Sequence, residues 1–293
     1  MKSGFVTIVG RPITGKSTLI NAIVNEKIAI VSYVAGTTRN TIQGVYHDED
    51  TQIVFVDTPG IHKASDKLGK HLNKQSYESL EDIDCILFVV DAASGLGRGD
   101  KFIIEALKHT TVPVILVLNK IDKLTNEGIM QAIINYKELY DFADIIPISA
   151  LKKDNIDRLI ELTKKYLKDN IKYYEDDVTT NNDPYFMISE LVREKILNLT
   201  TDEVPHSITC VLTSYQEKKD LAEICVDIIV SRDSLKKIII GKQGSMLKTI
   251  GIEARKDIEQ MLGKQVYLEL FVKTVKNWRN KEKYLMELGF DER

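Results

Sequence analysis

GFVTIVGRPITGKSTL, residues 4–19, decides how the rest of the chain is read. Its core, Gly10-Arg11-Pro12-Ile13-Thr14-Gly15-Lys16-Ser17, fits the phosphate-loop pattern G-x-x-x-x-G-K-[ST]. Residues 5–9 are β-branched or aromatic and predict a buried strand, while residues 18–24 carry helical spacing. Between strand and helix, Gly10 and Gly15 let the backbone curl so that successive N–H groups point inward. The helix N-terminus adds to this pull on a phosphate chain. Lys16 is expected to reach the β- and γ-phosphates as a catalytic group and Ser17 to ligate Mg²⁺, with residues 10–18, Thr18 included, lining the cradle.

Three later strand ends extend the pattern. Residues 28–40 form a polar, glycine-containing loop in which Thr38 is the preferred hydroxyl ligand for Mg²⁺, with Thr37 the competitor. Residues 52–56 run as a strand into Asp57-Thr58-Pro59-Gly60. There Asp57 would hold Mg²⁺ through water, and the Gly60 N–H would approach the γ-phosphate. Ile61 follows, where many small GTPases carry a water-orienting glutamine, so slow intrinsic turnover is expected. Residues 61–79 read as a second switch leading into a helix.

Residues 114–118 end in Asn119-Lys120-Ile121-Asp122, which selects the base. A carboxylate at Asp122 accepts from both N1–H and the 2-amino group of guanine, whereas adenine would leave it buried and unpaired. Asn119 supports the N7 side and the Lys120 stem lies along the base. Ser149-Ala150-Leu151 leaves another strand, with the Ala150 N–H placed for guanine O6.

Bulk properties agree with a two-domain soluble protein. Hydrophobic residues make up 43% and charged residues 28% of 293. Apolar runs such as residues 85–90 and 112–118 suit buried parallel strands and are too short to span a bilayer. No signal segment is read at the start, and Cys85, Cys210 and Cys225 lack metal-ligand spacing, so buried thiols of a cytoplasmic protein are expected. The net charge is −3, yet residues 231–283 hold 13 Lys or Arg against 6 Asp or Glu, pointing to an anionic partner.

The ordered set GRPITGKS, GTTR, DTPG, NKID and SAL resembles the translation-factor-like class of bacterial P-loop GTPases. An α/β domain with a mostly parallel sheet is expected over residues 1–170, and an acidic linker over residues 171–184. The remaining stretch, residues 185–293, reads helix-strand-strand-helix-helix-strand with GKQG between helices. It is similar to an α+β KH domain of type II.

Gly241, Lys242, Gln243 and Gly244 would clamp a single-strand backbone. Lys248, Arg255, Lys273, Lys276 and Arg279 would add phosphate attraction. Trp278 either stacks on a base or caps the domain edge.

ELVREKIL, DEVPHS, IIIGKQG and the NWR tail carry the resemblance further, to the Era family, over essentially the full chain. It implies GTP/GDP and Mg²⁺ as ligands and slow GTP hydrolysis. It also implies binding to the 3′ end of 16S ribosomal RNA, a checking role in assembly of the small (30S) ribosomal subunit, peripheral membrane association and a monomer. The alternatives are a related GTPase acting in RNA modification, or an RNA-binding scaffold with a weak G domain. Relatives usually read GRPNVGKS. In some of them that asparagine helps hold an activating K⁺, and Ile13 has no oxygen to offer, so no strong K⁺ stimulation is expected.

Overall fold

The computed structural model describes residues 1–59, 67–78 and 83–287. They fall into two compact units, one within Met1–Ala29, Thr38–Ser65 and Gly69–Asn181, the other within Ile30–Thr37, Asp66–Leu68 and Asn182–Arg293.

In the first unit, β1 (Lys2–Val9), β2 (Ile42–His47), β3 (Thr51–Asp57), β4 (Cys85–Asp91), β5 (Val114–Asn119) and β6 (Asp144–Pro147) build one sheet. The strand order is β2-β3-β1-β4-β5-β6, with only β2 antiparallel to its neighbour. The continuous apolar runs of β1, β4 and β5 are explained by cover on both faces. Helices α1 (Lys16–Val24) and α5 (Ile156–Lys164) supply Leu19, Ile20, Leu159 and Ile160 to one core. Helices α3 (Arg98–Leu107) and α4 (Asn126–Lys137) supply Ile103, Ile104, Leu107 and Tyr136 to the other. The helix α2 (Lys67–Glu78) lies within residues 61–79, the stretch read from sequence as a second switch leading into a helix.

Register then positions the motifs. Ile8 pairs with Asp57, Asp91 with Asn119, and Leu118 with Pro147. Parallel strands in this register end together, so the loops after β1, β3, β4, β5 and β6 share one edge of the sheet. β1 sits between β3 and β4, at the point where the order reverses, which is where open α/β sheets bind ligands.

Residues 169–181, of which 171–181 are read from sequence as linker, lie along the β2 and β3 side of this first sheet. Ser3 and Asp169 exchange backbone bonds at 2.9 and 3.1 Å. The N–H groups of Tyr173 and Tyr174 donate to Gln52 Oε1 at 2.7 and 2.9 Å, and Gln52 Nε2 returns a bond to the Tyr174 carbonyl at 2.8 Å. Val45 N–H donates to the Thr179 carbonyl at 2.8 Å, and the Thr180 hydroxyl to the Gln43 carbonyl at 2.7 Å. A strand-poor segment must find partners for its backbone polar groups, and the buried glutamine provides them.

The second unit begins its main run with α6 (Pro184–Leu199), capped by Asp183, whose side chain accepts from the Tyr185 N–H at 2.8 Å. Strands β7 (Ile208–Glu217) and β8 (Leu221–Val230) form a hairpin. Helices α7 (Asp233–Ile240) and α8 (Ser245–Leu262) then cross over to β9 (Gln265–Thr274), parallel to β8. Ile188, Val192, Ile224, Val226, Ile239, Ile250 and Ala254 pack the core between helices and sheet. A last helix, α9 (Glu282–Glu287), follows a turn containing Trp278.

Candidate functional site

The phosphate loop is held by steric necessity at its glycines. A Cβ on Gly10 would meet the Val89 carbonyl oxygen at 2.3 Å, and one on Gly15, at φ +95°, would meet Asn119 Nδ2 at 2.4 Å. Ile13 adopts φ +70°, a left-handed conformation that a β-branched residue takes only under strain. Neighbouring bonds hold the loop in place, including Thr14 Oγ1 to the Arg11 carbonyl at 3.1 Å.

Lys16 is buried, its Nζ donating to the carbonyls of Gly10 and Arg11 at 3.3 and 3.4 Å. Burial pulls its pKa down, with the Asp57 charge acting the other way. An ammonium group in that position is suited to an anion at the loop. Asp57 is fully buried, and burial pushes its pKa up against the opposing influence of Lys16, Ser17 and Thr38.

Ser17 Oγ donates to Asp57 Oδ2 at 2.7 Å and lies 2.8 Å from Thr38 Oγ1, which is 3.5 Å from the same carboxylate oxygen. The second oxygen, Asp57 Oδ1, is buried without a hydrogen-bond partner. Two hydroxyls and a half-satisfied carboxylate fit a hydrated Mg²⁺, a hard cation that favours oxygen ligands. Thr37 is turned elsewhere, its Oγ1 on the Val34 carbonyl at 2.7 Å and near Ser32 Oγ at 2.6 Å. Thr58 Oγ1 donates to the Ile8 carbonyl at 3.0 Å, and Pro59 follows it in the loop. Gly60 and Ile61 lie outside the described residues.

Arg11 departs from expectation. Its guanidinium turns away from the cradle to Ser94 Oγ at 2.6 Å, the Gly95 carbonyl at 3.1 Å and Asp100 Oδ1 at 3.1 Å. Asp100 is fully buried at the start of α3 and also takes the Tyr136 hydroxyl at 3.1 Å. A buried carboxylate needs such a partner, so the Arg11 side chain belongs to the scaffold and only its backbone to the loop.

The base-selecting loops are cross-tied. Asn119 Nδ2 donates to the Thr14 carbonyl at 2.9 Å, and its Oδ1 accepts from the N–H groups of Lys120 at 2.8 Å and Ala150 at 3.0 Å. The Ala150 N–H, expected to face a guanine O6, is thus engaged with Asn119, because that one amide joins three loops. Ser149 Oγ donates to Asp122 Oδ1 at 2.6 Å, leaving the exposed carboxylate oriented with acceptor capacity to spare. Ile121 N–H is tied to the Ile148 carbonyl at 3.2 Å, and Leu151 is exposed.

Lys120 Nζ bonds the Ile13 carbonyl at 2.6 Å and Asp91 Oδ2 at 2.8 Å. Burial would raise the Asp91 pKa, but Lys120 and the N–H groups of Ser94 and Ala93 outweigh it and hold the carboxyl below its usual range. Sequence reading passed over Asp91 as a strand end. An acidic residue in register with Asn119 was the available signal.

The second unit presents a different kind of site. Gly241 takes φ +74°, and a Cβ there would meet Met246 N at 2.8 Å, while Gln243 and Gly244 also lie at positive φ. Lys242, Gln243 and Lys248 are exposed. A groove of about 440 Å³ runs beside them between α8 and β9, with Leu247, Gly251, Ile252, Leu268 and Leu270 in its apolar lining and Lys248, Arg255 and Tyr267 beside it. Among the described residues Lys242, Lys248 and Lys276 form no ion pair, whereas Lys273 pairs with Asp227 and Arg255 stands 3.8 Å from Glu259.

Two C-terminal residues are structural. Trp278 is fully buried, its Nε1 donating to the Ser207 carbonyl at 3.1 Å, so it caps the unit. Arg279, expected on RNA, donates through Nη1 to the His206 carbonyl at 2.7 Å, as the turn after β9 must be fastened to the loop before β7. The groove residues Ile252, Tyr267 and Leu270 escaped the sequence reading because their apolar spacing looks like ordinary core.

Residues 5–120 match a family described as 50S ribosome-binding GTPase, and residues 203–279 match the KH domain family. GTPase Era from Clostridium kluyveri is 48% identical over 291 residues, covering 99% of each chain. Two solved structures align over 100% of both chains, each with TM-score 0.96 and 40% identity. One is Era in complex with MgGDPNP and nucleotides 1506–1542 of 16S ribosomal RNA. The other is a Tyr-to-Ala variant of Aquifex aeolicus Era bound to GDP·AlF4⁻.

Proposed function

The chain belongs to the Era family of GTPases, and from that premise we propose that it is a GTP-driven switch acting on ribosomal RNA. The observation that carries the reading is the convergence of Ser17, Thr38 and Asp57 beside Lys16, with Asp57 Oδ1 left without a partner. Ser17 and Thr38 would hold Mg²⁺ directly and Asp57 through water. When bound, the cation neutralises charge on the β- and γ-phosphate oxygens. Lys16 and the backbone N–H groups of residues 10–18, Pro12 having none, bind and orient the phosphates, Asn119 joins the loops, and Asp122 selects guanine. Gly60 is proposed to approach the γ-phosphate.

In the second unit, Gly241, Lys242, Gln243 and Gly244 with Lys248, Arg255 and Lys276 would bind single-stranded 16S ribosomal RNA near its 3′ end. The exposed lysines supply the electrostatic attraction and the apolar groove receives bases. Residues 1–170 are the proposed G domain, residues 171–184 the linker and residues 185–293 the RNA-binding domain. A monomer assisting or checking 30S assembly is the proposed cellular role. It would be cytoplasmic, with peripheral rather than spanning contact with the membrane: no helix among the described residues is long and apolar enough to cross one.

A hydrolysis assay comparing GTP with ATP, with and without EDTA, tests the site. GTP-selective, Mg²⁺-dependent release of phosphate is expected, slower than about 1 per second without a helper. RNA affinity measured with a non-hydrolysable GTP analogue and with GDP tests the switch; equal affinities would remove the coupling.

A further inference from the structure

Arg11 and Ile13 of the phosphate loop are both tied to one stretch of the first unit, the loop between β4 and α3 with the carboxylates at its two ends, Asp91 and Asp100. On one side of Pro12, Arg11 Nη2 donates to Ser94 Oγ at 2.6 Å and to the Gly95 carbonyl at 3.1 Å, and its Nε stands 3.1 Å from Asp100 Oδ1. Asp100 is fully buried and fixed in turn, its Oδ2 accepting from the Gly97 N–H at 2.8 Å and the Tyr136 hydroxyl at 3.1 Å. On the other side, the Ile13 carbonyl takes Lys120 Nζ at 2.6 Å, and Asp91 Oδ2 takes the same ammonium at 2.8 Å. Asp91 Oδ1 is set by the N–H groups of Ala93 and Ser94 at 3.0 and 3.1 Å. The two arms meet at Ser94, whose hydroxyl also donates to the Asp91 carbonyl at 3.2 Å.

The loop has need of such ties. Pro12 has no N–H and can donate to nothing. Ile13 stands at φ +70°, where a β-branched residue is strained, and its side chain is 44% exposed, so packing does little to keep it there. A strained conformation persists only where its surroundings over-determine it. Here the hold comes from Lys120 on the Ile13 carbonyl and from Asn119 Nδ2 on the next carbonyl, that of Thr14, at 2.9 Å. A lysine is a point charge on a flexible stem, and Asp91 fixes where that charge sits.

We propose that Asp91 and Asp100 are positioning residues for nucleotide binding: through Lys120 and Arg11 they brace the phosphate loop on both sides of Pro12 and hold Ile13 in its left-handed conformation. The inference rests on the phosphate-binding reading above and deepens it. Neither carboxylate is assigned a phosphate, base or metal contact; each acts through its cation. The brace shapes the loop before any chemistry, so its loss weakens GDP and GTP alike, as lost uniform binding does. Glycine at position 13 carries no strain at positive φ, so it makes the Asp91 arm dispensable.

The test uses the full chain with Asp91→Asn, Asp100→Asn, Ile13→Gly and the double variant Asp91→Asn/Ile13→Gly. Asparagine at 91 still accepts from Ala93 and Ser94 but turns an amide NH2 toward the Lys120 ammonium, donor against donor. Asparagine at 100 keeps an acceptor for Gly97 and Tyr136 while removing the charge that faces Arg11. Affinity for fluorescent GDP and for a non-hydrolysable GTP analogue should fall about tenfold in each carboxylate variant, near the worth of one charge-assisted hydrogen bond. KM for GTP should rise in step, with kcat held within about threefold. Ile13→Gly alone should bind as the parent does, and the double variant should regain most of what Asp91→Asn loses.

Parent affinity in either folded carboxylate variant would overturn the proposal, a lowered melting temperature with unchanged affinity included. So would a fall in kcat at unchanged KM, or a loss in Asp91→Asn that Ile13→Gly does not reduce. Carbon chemical shifts of Ile13 in the nucleotide-free protein report its φ without any ligand. They should move from left-handed toward ordinary values in Asp91→Asn, and unchanged shifts would overturn the hold on Ile13. A parent that binds neither GDP nor GTP would instead refute the phosphate-binding reading, while the Ile13 shifts would still decide whether Asp91 holds the loop. Should Asp100→Asn fail to fold, Asp91→Asn with and without Ile13→Gly carries the decision.

Discussion

At the nucleotide site, side chains from separate loops are tied to one another's backbone. Asn119 joins the Thr14 carbonyl, the Lys120 N–H and the Ala150 N–H, while Lys120 clamps Ile13 and Asp91. Beside the GKQG loop, Lys242 and Lys248 are exposed and form no ion pair among the described residues, and the groove next to them is lined by leucine, isoleucine and glycine together with Lys248, Arg255 and Tyr267. The first arrangement recognises one molecule through donors and acceptors fixed in advance. The second offers charge and a shape into which a flexible strand can settle. A single substitution should therefore be catastrophic in one region and graded in the other.

The largest effect that could break this comparison is at Lys16. Lys16→Ala should lower kcat/KM for GTP on the order of 10³-fold by removing preorganised positive charge from the phosphates. A loss below tenfold, read by phosphate release, would show that the site is not organised around it. Asp122→Asn should come next, weakening GTP binding by about 10²-fold or more, because the amide cannot accept from both guanine donors. Fluorescent-nucleotide titration measures this, and a xanthine nucleotide, with an oxygen in place of the 2-amino group, should recover part of the affinity.

On the other side, the double variant Lys242→Ala/Lys248→Ala should reduce RNA affinity about tenfold and lower the salt slope by about 1.4, near 0.7 for each lost phosphate contact on a single strand. GTP hydrolysis without RNA should be unchanged. Arg279→Ala sharpens the contrast. Its guanidinium holds the His206 carbonyl, so its loss should appear in thermal stability and leave the salt slope alone. A salt slope that falls as it does for Lys242 would return Arg279 to the RNA surface.

The smallest effect is expected at Ile13. Ile13→Asn or Ile13→Gly should stabilise the nucleotide-free protein by about 1 kcal/mol, by relieving a β-branched residue at positive φ. The parent should show little preference for K⁺ over Na⁺, and Ile13→Asn should acquire one. A large K⁺ stimulation of the parent would refute the role assigned to the missing oxygen.

Much of this was readable before any coordinates. The phosphate loop, DTPG, NKID and SAL are local strings at strand ends, legible without knowing the rest of the fold. Strand ends brought into register by parallel pairing did the rest. What escaped was side-chain destination. Arg11 belongs to the phosphate-loop string, yet its guanidinium serves Asp100, which is 89 residues later in the chain. Trp278 and Arg279 lie in a basic tail, but each is fastened to a carbonyl near residue 206. Charge and aromaticity announce that a residue needs a partner without saying whether the partner is nucleic acid or this same chain.

The strand-poor stretch along β2 and β3 bears on how the chain is made. On the edge strand the Val45 N–H bonds the Thr179 carbonyl and the Gln43 carbonyl takes the Thr180 hydroxyl, and Gln52 bonds Tyr173 and Tyr174 as well as His47 Nδ1 at 3.2 Å. During synthesis the sheet therefore emerges from the ribosome well before its edge can be sealed, and an unsealed edge is open to pairing with a neighbouring chain. A fragment cut after residue 170 would keep every nucleotide motif and still carry that edge bare. Expression of the G domain by itself should yield soluble protein only when the fragment runs on to residue 181.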